Sequence, residues 1–180
     1  KEVEDIVREL EEEVEKIRDH SRRVSEELDK SVKDNKRRVD EVKKTLEKSV
    51  RDIRRKVRDD SLREIVERLK EKVDRMVRRL EEITEELEDK VRKVVENSRR
   101  IVKEVEDKVR EVVRELERIK DGEVLKDVAR RAREMLEEVR RKDRENTERA
   151  RRLLEEVHRR TEEVERRARE VLKKADEDVK

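Results

Sequence analysis

The chain has 180 residues, 61% of them Asp, Glu, Lys or Arg, with no aromatic residue, no proline, no cysteine and one glycine. Its 56 basic and 54 acidic residues leave a formal charge of +2, too little to draw it strongly to nucleic acid or anionic lipid. Without cysteine there are no disulfides, thiolate chemistry or Cys-bound metals, and one glycine leaves no room for a glycine-rich phosphate loop or a serine-nucleophile elbow.

A chain so poor in turn formers makes few turns, so its elements must be few and long. The amino terminus, Lys1-Glu2-Val3-Glu4-Asp5, has no signal-peptide core, and no stretch approaches the roughly 18 apolar residues of a membrane span. All 180 residues are therefore expected to be soluble folded material, with no compartment assigned.

The first predicted helix covers 2–58. Its apolar positions recur through Leu10, Leu28 and Leu46, through Val14, Val32 and Val50, and through Ile6, Val24 and Val42. Asp59-Asp60-Ser61 then breaks the pattern, and the expectation is that Ser61 caps the next helix, with Glu64 reaching back to complete a capping box. The second helix covers 62–119 with a stripe from Leu62 through Val66, Leu69, Val73, Val77 and Leu80 to Leu116, flanked by Ile65, Met76, Ile83 and Val94. Asp121-Gly122 is the second break, where Gly122 is expected as the left-handed residue that ends a helix without a Cβ clash. The third helix covers 123–179 and repeats Leu136, Leu154 and Leu172, and Ala132, Ala150 and Ala168.

Each recurrence is 18 residues, about five turns at about 3.6 residues per turn, the period of an unstrained α-helix, whereas heptads impose a left-handed supercoil. Short connections force sequential helices to run antiparallel. The predicted fold is thus all-α: a straight antiparallel up-down-up three-helix bundle with an 18-residue repeat, spanning 1–180 as one domain. Each helix would be about 87 Å long. One stripe per helix closes one core and leaves no second apolar face.

Several positions in or beside the stripes are polar. Antiparallel folding sets residues of helices 1 and 2 level when their numbers add to about 120, and residues of helices 2 and 3 when they add to about 243. His20 and Ser21 then lie level with Asn97 and Ser98, and these with Asp143, Asn146 and Thr147. Asn35 lies level with Thr84, and Thr84 with His158 and Thr161. The expectation is two cross-layers of hydrogen-bonded side chains that penalise slipped pairings of a nearly degenerate repeat. The rival for these residues is a metal or acid–base site using His20 or His158 with Asp143, for which no His pair at i, i+4 exists. A further alternative is pH sensitivity through a histidine acting as acceptor.

Arginine clusters such as Arg140-Arg141-Lys142 could suggest nucleic acid, but residues 130–160 hold twelve basic against eight acidic groups and nothing aromatic to stack on bases. Ion pairs at i, i+4 explain them better. Lipid-binding helices need a large apolar face, usually with aromatic anchors, which this chain lacks. The expectation is no catalytic, cofactor-binding or metal residue, no cofactor, no nucleic acid and no membrane. A monomer needing no partner is the simplest outcome; the alternative is a spacer or interaction module, or a homo-oligomer formed by helix swapping.

Three helices of matched length, an 18-residue repeat, one minimal turn at each joint and paired polar layers together resemble a parametrically designed three-helix bundle with built-in hydrogen-bond networks. The resemblance covers the chain from Val3 to Val179 and implies a hyperstable artificial scaffold with no natural substrate. Spectrin-type repeats share the three-helix plan, with shorter helices, heptads and a buried tryptophan that is missing here.

Overall fold

The computed structural model of the protein describes residues 2–179. Three α-helices follow one another: α1 (Glu2–Lys56), α2 (Asp60–Arg118) and α3 (Gly122–Val179), packed as an all-α three-helix bundle. The first turn of α1 holds Glu2, Glu4 and Asp5 and its last turn Arg54, Arg55 and Lys56, so both ends complement the helix dipole.

The breaks fall where the sequence predicts them, but other residues form the caps. Helix α2 begins at Asp60, so Ser61 lies in its first turn, and the cap is Asp59: its Oδ1 accepts the Ser61 backbone N–H at 3.3 Å. The Asp59 carbonyl also accepts the Leu62 N–H at 3.1 Å. Glu64 is exposed and closes no capping box with Ser61. Gly122 is the first residue of α3 rather than a left-handed terminator of α2, and no glycine takes a positive φ. Asp121 caps α3, its Oδ1 accepting the Glu123 N–H at 3.0 Å and its carbonyl the Leu125 N–H at 3.0 Å. An aspartate binds the free N–H two residues on, and in each break it precedes the residue that the sequence reading favours. Helices α1 and α2 close instead on tight i to i−3 bonds, Val57 N–H to the Arg54 carbonyl and Ile119 N–H to the Leu116 carbonyl.

Contacts gather into two compact units, each built from parts of all three helices. The first takes α1 through Asp29 together with Val91–Arg151; the second takes Lys30–Lys90 and α3 from Arg152 onward. In the first unit the core is Leu10, Val14 and Ile17 from α1, Ile101, Val105, Val109 and Leu116 from α2, and Leu125, Val128, Ala132, Leu136 and Val139 from α3. In the second, Leu46, Val50 and Ile53 meet Val66, Leu69, Val73 and Val77, while α3 contributes the small Ala168 and Ala175.

Cross-helix pairs fix the directions within each unit. In the first, Arg18 Nε and Nη2 donate to Glu106 Oε1 at 3.0 and 2.9 Å, tying α1 to α2, and Lys142 reaches Glu104 at 3.5 Å between α2 and α3. In the second, Lys36 pairs with Glu88 at 2.7 Å and Arg160 with Glu86 at 2.8 Å. Within the first unit partner numbers fall on one helix as they rise on the other, Arg18 with Glu106 then Ser21 with Ser98, and Lys142 with Glu104 then Asn146 with Asn97, so α2 runs antiparallel to both α1 and α3. Pairs between α1 and α3 rise together within each unit, Glu9 with Arg133 at 3.2 Å and His20 with Asp143 at 2.7 Å in the first, Arg38 with Glu165 and Lys56 with Asp176 at 3.0 Å in the second, which marks parallel neighbours.

Candidate functional site

Polar side chains enter the interior of each unit. In the first, Ser21, Ser98, Asp143 and Asn146 are all buried. The Ser21 and Ser98 hydroxyls hydrogen-bond to each other across α1 and α2. Asn146, 3% exposed, uses both ends of its amide: Oδ1 accepts from Asn97 Nδ2 at 2.9 Å and Nδ2 donates to the Val94 carbonyl at 3.2 Å. His20 Nδ1–H donates to Asp143 Oδ2 at 2.7 Å between α1 and α3. Each contact joins two helices. Thr147 does not: its hydroxyl donates to the Asp143 carbonyl at 2.9 Å, one turn back on its own helix.

In the second unit Asn35 Nδ2 donates to Thr84 Oγ1 at 3.1 Å, and the Thr84 hydroxyl donates in turn to the Leu80 carbonyl at 3.0 Å. Thr84 is therefore satisfied as both acceptor and donor. His158 and Thr161 do not join this pair. Val157 takes the buried position on α3, and the next residue is turned about 100° round the helix, so the His158 side chain is 64% exposed. There its Nδ1 accepts from Arg38 Nη1 at 3.1 Å and its Nε2 meets Glu162 Oε1 at 3.0 Å. Thr161 is fully buried, yet its hydroxyl has no hydrogen-bond partner.

Two participants escape sequence reading. Arg38 sits 18 residues after His20, in the equivalent position of the repeat, and besides His158 it binds Glu165 at 3.0 Å; Glu165 also receives Arg169 at 2.6 Å. The repeat itself is the signal that could have found it. The Val94 carbonyl could not have been found, because backbone acceptors carry no residue signature.

Among the described residues no group of three or more His, Asp or Glu side chains comes together to hold a metal ion. Hydrogen bonding from Arg160 holds the Glu86 carboxyl below its ordinary range, and Lys108 does the same for Glu104. The hydrogen bond to Glu104 raises Lys108 in turn, and that to Glu106 raises Arg18. No described helix is long and apolar enough to cross a membrane.

Architecture and polar interior together define an all-α three-helix bundle whose helices are joined by both apolar and hydrogen-bonded contacts. No family model, curated protein or solved structure matches the chain.

Proposed function

We propose that the protein is a self-contained structural scaffold of designed origin, in which buried hydrogen-bond networks select one pairing of three repetitive helices and no natural substrate is involved. The observation that carries this reading is register. Ser21 pairs with Ser98 in one unit and Asn35 with Thr84 in the other, and in both pairs the residue numbers add to 119. The repeat makes that choice matter. Val39 and Leu80, both buried, lie 18 residues from Ser21 and Ser98 respectively and add to the same number. Sliding α1 by one repeat would set Ser21 against Leu80 in one direction and Val39 against Ser98 in the other, in either case leaving a hydroxyl buried without its partner at about 1–3 kcal/mol.

Matched helix lengths, with 55, 59 and 58 residues, and aspartate-capped turns at both joints support the same reading. So does the absence of a matching natural family. The apolar faces are met within the single chain: among described large hydrophobic residues only Val124, at 46%, is exposed.

Sedimentation equilibrium across a hundredfold concentration range tests it. A single 22.1 kDa species is expected. A concentration-dependent dimer or trimer would replace the scaffold with an assembly subunit formed by helix exchange.

A further inference from the structure

Of the two histidines, one is left with unused chemistry. His20 gives its Nδ1–H to Asp143 at 2.7 Å, and the Asp143 side chain is only 11% exposed, so the neutral form of the ring carries its lone pair on Nε2. The His20 side chain is itself 45% exposed and opens on a groove lined by Glu13, Lys16, Ile17, Arg140 and Arg144. Glu13 is occupied by Lys16 at 3.4 Å and by Arg140, so it does not compete for Nε2. Ile17 gives the groove an apolar side, and Arg144 adds a cationic side chain to its lining.

His158 is the internal control. Arginine can only donate, so Arg38 occupies the Nδ1 lone pair, and the proton on Nε2 faces Glu162. No lone pair of that ring is free.

We propose that His20 is an acyl-transfer nucleophile, taking activated carboxylic esters and acylating anhydrides at Nε2. The lone pair attacks the carbonyl carbon, a C–N bond forms, and the C–O bond to the leaving group breaks with its electrons departing on the aryloxide of an aryl ester or on the carboxylate or alkyl carbonate of an anhydride. The resulting acylimidazolium keeps its Nδ1–H on the Asp143 carboxylate, which stabilises the cation. Water then adds to the acyl carbon and the C–N bond breaks with its pair returning to Nε2. The carboxylic acid and one proton leave. This does not rest on the scaffold reading, and its failure would leave that reading untouched.

The test begins with the unaltered protein, treated with limiting diethyl pyrocarbonate and mapped by peptide mass spectrometry. His20 should carry the ethoxyformyl group about tenfold faster than His158. With 4-nitrophenyl acetate, His20→Gln should fall to the rate of the protein carrying both His20→Gln and His158→Gln, while His158→Gln alone stays at the native rate. Asp143→Asn, checked for native circular dichroism, should lose about tenfold with His20 still present. Equal or preferential labelling of His158, or an unchanged ester rate in Asp143→Asn, would overturn the proposal.

Discussion

Thr161 and Asn146 represent the two ways a polar side chain can sit in this interior. Asn146 meets a partner at each end of its amide, whereas the Thr161 hydroxyl meets none. An unmet buried hydroxyl costs about 1–3 kcal/mol, and valine has nearly the same shape without the oxygen. Thr161→Val should therefore raise stability by roughly 1 kcal/mol, read as a higher urea midpoint at unchanged slope; a lower midpoint would mean that the hydroxyl is bonded. The surface ion pairs act on a smaller scale. Because Arg160 depresses the Glu86 carboxyl, the stabilisation it gives is present above the ordinary carboxylate range and disappears as pH falls through the lowered value. Both groups meet solvent, at 22% and 46% side-chain exposure, so Arg160→Gln should cost no more than a few tenths of a kcal/mol at pH 7. Melting curves of the two proteins should converge near pH 2, and a gap that persists there would assign the loss to packing of the arginine stem.

At the level of the helix, the pattern of apolar residues was enough to find all three elements and both breaks, while the identity of the caps was not. In each break the sequence offers two candidates side by side, Asp59 with Ser61 and Asp121 with Gly122, and the choice turns on a start point one or two residues away. Periodicity does not resolve that, because end residues bury nothing. Gly122 discriminates between the readings. As the first residue of α3 without a left-handed backbone, and with no atom within 4 Å of where a Cβ would stand, it should accept alanine. Gly122→Ala should stabilise by about 0.5–1 kcal/mol, chiefly by restricting the unfolded chain. A left-handed terminator would give a loss instead. The same limit of periodicity affects the stripe on α2, where Val94 and Ile101 are buried at 9% and 5% while their neighbours Val95 and Val102 are half-buried. Two adjacent apolar residues leave the centre of a stripe open by one position, and only the facing helices decide it.

For the whole chain, the antiparallel order was legible from connection length alone, and the expected level of each polar residue from simple subtraction. That arithmetic brings together His20 with Asp143, Ser21 with Ser98, Asn97 with Asn146 and Asn35 with Thr84. It fails for His158 and Thr161, since sharing a level does not settle the direction in which a side chain leaves its helix. Val157 fills the inward position and turns His158 out; Thr161 points inward but reaches no partner. Subtraction does not distinguish the native pairing from one displaced by a full repeat; in the proposed scaffold the buried polar contacts do. Oxidative cross-linking measures the pairing directly. A disulfide needs Cβ atoms about 3.5–4.5 Å apart, so the chain carrying Ser21→Cys and Ser98→Cys should close one intramolecular bridge in high yield, seen as a loss of two mass units in the monomer. The chain carrying Ser21→Cys and Leu80→Cys should stay reduced under the same conditions. Comparable bridging in both, or cross-linked dimers from the first, would contradict the account.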